Sequence, residues 1–186
     1  EIAQCLVGSE MCIRDRYCVD LTTGTPIAAI RENTRVVSAS TIKVSILCCA
    51  LQDVMDGKLS LDQPLAIAPG DFCSDTEVFE PGYRQDGASL WEMLYWMIVS
   101  SDNTATNTVI SLLGYDHVNQ YCRAIGLTQT SLQRKMLDFQ AIAEGRNNYT
   151  SPADLYRVFS RLYHGKILNK SLREVALSLI HISEPT

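Results

Sequence analysis

The chain contains 186 residues, of which 46% are hydrophobic and 20% are charged, and it carries a formal net charge of −5 at pH 7. This length is enough to bury a substantial core within one domain or most of a larger one. The acidic balance and the lack of a basic run do not favour nucleic-acid binding. No apolar stretch free of charge is long enough to span a bilayer.

Both ends of the chain show an unusual relation at the level of DNA. Residues Met11–Arg16 read MCIRDR, and residues Leu177–Thr186 read LSLIHISEPT. A DNA string that encodes the first peptide also encodes the start of the second one when its opposite strand is read in a shifted frame. This string resembles the transposon adapter used to prepare short-read sequencing libraries. We therefore expect residues 1–16 and 177–186 to be artefacts and residues 17–176 to form a partial domain.

The cysteines of the remaining chain do not follow a disulfide or metal-binding pattern. They are Cys18, Cys48, Cys49, Cys73 and Cys122, and their odd number argues against a complete disulfide framework. With no Cys-x-x-Cys pair and no cluster of Cys with His along the sequence, we expect neither a metal site nor another cofactor.

The first elements are predicted to be a β-hairpin and a long buried helix. Tyr17–Leu21 and Pro26–Glu32 flank the turn residues Thr22–Thr25, which is typical of a hairpin. From Thr41 to Met55 nearly every residue is apolar or small, and Gly57 follows as a C-terminal cap. This pattern predicts a central helix that is buried on most sides.

Further helices are predicted from their caps and from helical periodicity. Ser89 and Glu92 match a capping box, and the helix that they open is expected to run to about Val99. Ser151 is predicted to cap a later helix that ends before Gly165. The other helices are expected near residues 103–114, near residues 116–125, and from about residue 171 to the start of the artefactual end.

One polar pair stands at the start of the central helix. Ser40 and Lys43, within SASTIK, are three residues apart, so their side chains share one helix face. In an apolar pocket the ammonium form of a lysine is disfavoured, and the neutral amine can accept the proton of a serine hydroxyl. The backbone N–H of Ser40 at the helix N-terminus can stabilise an oxyanion. This spacing alone is a weak signal, because a lysine can also extend along the surface to solvent.

A second polar motif, Ser101-Asp102-Asn103 within SSDNTATN, lies in the break between two predicted helices. A serine and an asparagine can both project from such a turn, although the same residue types also serve simply as helix caps. The two motifs together indicate a catalytic site more strongly than either one alone.

At this point the chain resembles the penicillin-recognising serine hydrolases, and most closely the class A β-lactamases. Ser-x-x-Lys and Ser-Asp-Asn belong to the motif set of that family, and the segments DLTTGTPIAAI and GRNNYTSPADL are also similar to it. The resemblance implies an α/β (α+β) fold of the β-lactamase/transpeptidase type. It would have an N-terminal β-hairpin and a helical body around a central buried helix, with the C-terminal sheet strands missing from this chain.

The resemblance also implies roles for individual residues. Ser40 would be the acylated nucleophile and Lys43 the base that activates it. Ser101 would relay a proton toward the leaving nitrogen, and Asn103 would bind the amide side chain of the substrate. Asp102 would shape the turn.

The chain departs from the family pattern in lacking a third motif. No lysine is followed by Thr-Gly or Ser-Gly, whereas the family carries Lys-Thr-Gly on a C-terminal strand whose edge supplies half of the oxyanion hole. Truncation is the simplest explanation, and a pseudoenzyme is the alternative. We expect the chain as written to be inactive and poorly folded, because strands Tyr17–Leu21 and Pro26–Glu32 would expose unpaired edges.

A second departure lies in the loop SLQRKMLDFQAIAEGRNNYTSP. Class A β-lactamases carry a glutamate there, between an arginine and a Leu-Asn pair, and it activates the water that hydrolyses the acyl-enzyme. In this chain Arg134 is followed by Lys135 and Met136, and Asp138 and Glu144 are the alternative bases. Without such a base, acylation can proceed while deacylation is slow.

Three functions therefore remain open on the sequence. The first is a serine hydrolase that forms an acyl-enzyme with β-lactams, the second a D-Ala-D-Ala carboxypeptidase or transpeptidase, and the third a non-catalytic β-lactam sensor. We rank the β-lactamase-like hydrolase first. Its partner would be a small-molecule β-lactam or a peptidoglycan stem peptide, and we expect a monomer located outside the cytoplasmic membrane, whether periplasmic, secreted or at the cell surface.

Overall fold

The computed structural model describes residues 15–74, 78–79 and 87–182. Most of the predicted N-terminal artefact and residues 183–186 lie outside these ranges. The described strands are β1 (Arg16–Val19), β2 (Pro26–Ile30), β3 (Val36–Val37), β4 (Pro64–Leu65), β5 (Ala88–Ser89) and β6 (Tyr149–Thr150). The described helices are α1 (Ile42–Met55), α2 (Leu90–Val99), α3 (Asn103–Leu113), α4 (Tyr115–Ala124), α5 (Phe139–Ala143), α6 (Pro152–Tyr163) and α7 (Lys170–Ile182).

The predicted hairpin is confirmed as the antiparallel pair β1 and β2. Tyr17 pairs with Ala29, and the register shifts by one residue between Cys18 and Val19. The hairpin packs against α6, where the rings of Tyr17 and Tyr156 meet edge to face with their centroids 5.1 Å apart. Its turn is closed by the carboxylate of Asp20, which accepts hydrogen bonds from the two following threonine amides.

The predicted central helix is also confirmed. In α1 the apolar residues from Ile46 to Leu51 are completely buried, because α1 is surrounded by α2, α3, α4 and α7. The side chains of α2 and α4 complete this core, and Met93 and Leu94 of α2 are fully buried within it. A helix that is enclosed on so many sides can present a polar side chain only at its ends or at a site built to hold that side chain.

The predicted helix caps form as the residue types indicated. Ser89 and Glu92 make both bonds of the capping box at the start of α2, and Ser151 caps α6 by accepting the amide of Asp154. The carboxylate of Asp154 is itself fully buried and accepts amides from the segment 128–130. These contacts connect the start of α6 to the beginning of the segment that follows α4.

The last helix does not stop where the sequence analysis placed its end. Instead, α7 continues through residues 177–182. The reason is that Leu172, Ala176 and Leu179 recur at helical spacing and are all buried, so the apolar stripe of the helix extends past residue 176. The origin of residues 177–186 remains a prediction.

The other strands are short and form two further two-stranded sheets. Strand β3 pairs with β6, and β4 pairs with β5. These strands and α5 were not predicted, because elements of two to five residues carry too little periodicity to be recognised. Within the described ranges, none of the helices combines the length and apolarity needed to cross a membrane.

Candidate active site

Ser40 lies in a single 3-10 turn, Ala39–Thr41, that leads directly into α1. The residue before this turn is anchored to a distant part of the chain, because the amide of Ser38 donates to the carbonyl of Asn148 at 2.9 Å. Ala39 has φ 46°, in the left-handed region that costs a residue with a side chain about 1–2 kcal/mol. The strained turn holds Ser40 just before α1, with its side chain exposed to solvent.

Lys43 projects from the first turn of α1 into the protein and is only 2% exposed. Its Nζ donates to the carbonyl oxygen of Ser101 at 2.6 Å, to Ser101 Oγ at 2.9 Å and to Asn103 Oδ1 at 2.9 Å. Ser101 Oγ in turn donates to Ser40 Oγ at 3.1 Å. The hydroxyl of Ser101 therefore connects the buried amine to the exposed hydroxyl of Ser40.

The turn between α2 and α3 holds Ser101 in place. Ser101 has φ 58°, which is a second left-handed residue at this site. Asp102 caps α3 by accepting the amide of Ala105 at 2.7 Å, and its other carboxylate oxygen accepts the amide of Val78 at 3.3 Å. Asp102 therefore shapes the turn, as the sequence indicated, and Ser101 and Asn103 both reach Lys43 Nζ from it.

A cavity of about 260 Å³ opens beside these polar groups. Its wall is mostly apolar and includes Met97, Ile98 and Phe159. Ile180, in the segment predicted to be artefactual, completes one side. The complete lining consists of Ser40, Thr41, Lys43, Val44, Met97, Ile98, Ser101, Phe159 and Ile180.

Comparison with known proteins assigns the chain to a family. A family model described as the beta-lactamase enzyme family matches residues 13–183. The chain belongs to this β-lactamase family. The family resemblance inferred from its motifs is confirmed.

Solved structures of the β-lactamase family support the same assignment. An ancestral class A β-lactamase is 27% identical, with a TM-score of 0.81 over 90% of this chain and 65% of that one. A structure titled PBP-A is 26% identical, with a TM-score of 0.80 over 91% of this chain and 62% of that one. A β-lactamase from Xanthomonas campestris pv. campestris is 27% identical, with a TM-score of 0.77 over 88% and 61%. The chain thus spans less than two thirds of the length of these β-lactamase-fold proteins.

Polar contacts hold the loop 134–148, which the sequence analysis compared with the glutamate-bearing loop of class A β-lactamases. Arg134 binds Asn147 Oδ1 through Nε at 3.0 Å and through Nη2 at 2.8 Å, and burial lowers the pKa of its guanidinium. Met136 is bracketed by Asn107, whose Oδ1 accepts the Met136 amide at 2.7 Å and whose Nδ2 donates to the Met136 carbonyl at 3.3 Å. Lys135 forms an ion pair with the buried carboxylate of Asp71.

The two alternative bases lie away from the cavity at Ser40. Asp138 caps α5 by accepting the amide of Ala141 at 2.9 Å, and it lines a separate cavity of about 460 Å³ together with Asn107 and Met136. Glu144 is half exposed and paired with Arg146, whose hydrogen bond lowers the pKa of the Glu144 carboxyl. Neither carboxylate lines the cavity that contains Ser40.

Two residues that organise this region, Asn107 and Asp71, were not predicted from the sequence. Asn107 lies one helical turn after Asn103, so the two asparagines share a face of α3. That spacing was a usable signal within SSDNTATN. Asp71 gave no comparable signal, because its partners Ser111 and Lys135 are remote in sequence.

Proposed function

We propose that Ser40 attacks the carbonyl carbon of a β-lactam and forms a covalent acyl-enzyme. The observation that carries this proposal is the position of the Ser101 hydroxyl, 2.9 Å from Lys43 Nζ and 3.1 Å from Ser40 Oγ. A serine is activated when its hydroxyl lies within hydrogen-bond distance of a group that can pass its proton to an amine.

The proposed step balances within these groups. The ester bond between Ser40 Oγ and the carbonyl carbon forms as the amide C–N bond of the lactam breaks. Neutral Lys43 takes up the proton of Ser40 through the Ser101 hydroxyl. The Lys43 ammonium then returns a proton through Ser101 to the nitrogen that leaves, so Lys43 and Ser101 end the step in their starting forms. Asn103 is held by its contact with Lys43 and would hydrogen-bond the amide side chain of the substrate.

Slow deacylation is the outcome that the loop supports best. In the class A enzymes a loop carboxylate activates the hydrolytic water, whereas here Lys135 and Met136 occupy the corresponding stretch. Asp138 and Glu144 are engaged in a helix cap and an ion pair. This observation favours a second candidate function, a penicillin-binding D-Ala-D-Ala carboxypeptidase or transpeptidase, or a sensor that keeps the acyl group.

The test follows the fate of the acyl group with a fluorescent penicillin and mass spectrometry of the intact protein. It is best run on the complete gene product that carries this chain, because family members use a further C-terminal strand for half of the oxyanion hole. A label on Ser40 that persists for hours supports the penicillin-binding or sensor function. A label that clears within seconds supports a β-lactamase and would make Asp138 and Glu144 the next residues to replace.

Two variants make this test specific. Ser40→Ala should take no label, and Lys43→Met should acylate at least about 100-fold more slowly, since it removes the proton acceptor. Full-rate labelling of Lys43→Met, or a label on another residue, would overturn the proposed acylation mechanism.

The missing loop carboxylate leads to a prediction for Met136. Met136 is 9% exposed, and its backbone is fixed on both sides by Asn107, so a side chain of similar length should leave the loop in place. Met136, like Asp138, lines the cavity of about 460 Å³ and not the one at Ser40. It is bound by Asn107, however, one helical turn from the Asn103 side chain that contacts Lys43.

We therefore expect Met136→Glu to shorten the lifetime of the acyl-enzyme by about 100-fold or more by supplying a general base. Met136→Gln has the same shape without the base and is the control. Equal lifetimes in the two variants would contradict this explanation of slow deacylation.

The substrates and location follow from the proposed chemistry. A small β-lactam or a peptidoglycan stem peptide is the expected partner, and such substrates lie outside the cytoplasmic membrane. We therefore propose an extracytoplasmic location for the protein that carries this chain, acting as a monomer.

A further inference from the structure

Helices α1 and α4 pack against each other, and three potential metal ligands that do not line the cavity at Ser40 meet there. Cys49 and Asp53 lie one turn apart on α1, and His117 lies on α4. One ligand atom from each residue lies within 4.8 Å of the other two. Within residues 15–74, 78–79 and 87–182, this is the one such group of three.

We propose that Cys49, Asp53 and His117 form a binding site for a zinc ion, separate from the acyl-transfer site. A thiolate, an imidazole nitrogen and a carboxylate oxygen are the ligand types that zinc takes in proteins, whereas calcium and magnesium prefer oxygen alone. The sequence could not indicate the site, because 64 residues separate Asp53 from His117.

The burial of the three residues suits an open three-ligand site. Cys49 is fully buried and Asp53 is 5% exposed, while the side chain of His117 is 39% exposed. The cluster is therefore enclosed by protein at Cys49 and Asp53 and open to solvent at His117. A metal ion could enter past His117 and keep a water molecule as its fourth ligand.

One pair of ligand atoms must move apart to admit the ion. His117 Nε2 and Asp53 Oδ2 are 2.6 Å apart and share a hydrogen bond. The ligand atoms of a tetrahedral zinc ion are about 3.3–3.8 Å apart, given bond lengths of about 2.0–2.3 Å. These two atoms would have to separate by about 0.7 Å, which a rotation of the half-exposed histidine ring can supply. The buried thiol would release its proton to solvent as the metal binds.

Lys58 is the charged group that competes with a metal ion here. Its Nζ contacts Asp53 Oδ1 at 2.9 Å and Asp56 Oδ2 at 3.1 Å. The Lys58 side chain is 58% exposed, so it can move toward Asp56 and leave Asp53 to the metal.

The site can be tested with cobalt as a spectroscopic substitute for zinc. Titrating the complete gene product that carries this chain with Co²⁺ should give one equivalent of a near-ultraviolet charge-transfer band, which reports a thiolate bound to the metal. Zn²⁺ should then displace the cobalt and abolish the band. Zn²⁺ should also raise the melting temperature in a concentration-dependent way, because a ligand that binds only the folded state stabilises it.

Variants separate this site from non-specific binding. Cys49→Ser should lose the band, and His117→Ala, at a half-exposed position, should weaken Co²⁺ binding by at least about tenfold. Cys48→Ser and His164→Ala are matched controls that should bind as the parent chain does. Circular dichroism of every variant shows whether the helices are retained.

A further variant should strengthen Co²⁺ binding, whereas a variant that only damages the fold would weaken it. Lys58→Met removes the competing cation and should tighten Co²⁺ binding several-fold. A band that survives Cys49→Ser, or an affinity unaffected by both His117→Ala and Lys58→Met, would overturn the proposal. The result would not depend on acylation at Ser40, so the two proposals fail independently.

Discussion

At the scale of single residues, the burial of Lys43 is explained by its contacts. A buried ammonium or amine group without partners costs several kcal/mol, yet Lys43 is 2% exposed at the start of the central helix. Its Nζ finds a carbonyl, a hydroxyl and an amide oxygen from the turn between α2 and α3. Two left-handed residues, Ala39 and Ser101, place the partners at this point. Backbone strain of this kind is typical of functional sites.

The relay role of Ser101 leads to a prediction with a neighbouring control. Ser101→Ala removes the hydroxyl between Lys43 and Ser40, and we expect the acylation rate to fall by about 100-fold. Ser100→Ala is the matched control, because the Ser100 hydroxyl only donates to the carbonyl of Trp96 within α2. Stopped-flow measurement of labelling by a fluorescent penicillin gives both rates. Equal rates for the two variants would exclude Ser101 from the proton path.

At the scale of elements, the loop from 134 to 148 is held by long-range polar contacts rather than by its own helix. The helix within it, α5, has five residues, which is too short to be stable alone. Asp71 is 1% exposed and accepts hydrogen bonds from Ser111 at 2.8 Å and from Lys135. This buried carboxylate joins the turn 69–71, α3 and the loop.

We therefore expect the contacts of Asp71 to contribute measurably to stability. Asp71→Ala leaves the Lys135 cation and the Ser111 hydroxyl without their partner, and the free energy of unfolding should fall by about 2–3 kcal/mol. This is below the largest effects of broken buried pairs, because the Lys135 side chain is 31% exposed and can reach water. Urea unfolding followed by circular dichroism measures the change.

The exposed pair in the same loop is the control. Glu144→Ala breaks the contact with Arg146. The side chain of Glu144 is 47% exposed and that of Arg146 is 53% exposed. The variant should leave the unfolding midpoint unchanged, because solvent-exposed pairs contribute little to stability. The double variant Asp71→Ala/Lys135→Met should recover part of the lost stability. A midpoint for Asp71→Ala equal to that of the parent chain would show that the buried pair does not stabilise the fold.

At the scale of the whole molecule, the core is built around α1, and it completely buries three of the five cysteines that the structure describes. Cys48, Cys49 and Cys122 are fully buried, whereas Cys18 lies exposed on β1. Burial is the main reason that the pKa of Cys49 is raised to about 12 and that of Cys122 to about 11. Burial also raises the pKa of Cys48.

This distribution predicts a pattern of thiol reactivity. Thiolates are the reactive form, and a thiol with a raised pKa stays protonated as the pH increases until it approaches that pKa. In the metal-free protein at pH 8, iodoacetamide should therefore modify Cys18 rapidly and leave Cys48, Cys49 and Cys122 unmodified until the protein is denatured. Mass mapping of the alkylated peptides gives the rates. Fast modification of Cys122 in the native protein would show that the α1–α4 core opens readily.

The hairpin, the central helix, the caps and the motif residues of the site were all accessible from sequence, because each depends on neighbours within a few positions. Ser89 meets Glu92 three residues later, and Ser40 and Lys43 share one helical turn. The same locality allowed the turn at Asp102 to be recognised before its bonds were known.

Other features depended on residues that are distant along the chain and could not be predicted from such patterns. The contact between Lys43 and Ser101, the ion pair of Asp71 with Lys135 and the meeting of Asp53 with His117 each bridge about 60 positions. The course of α7 past residue 176 likewise follows from burial against the body of the protein. Local composition selects helices, strands and caps, but packing around α1 determines which polar groups come within hydrogen-bond distance.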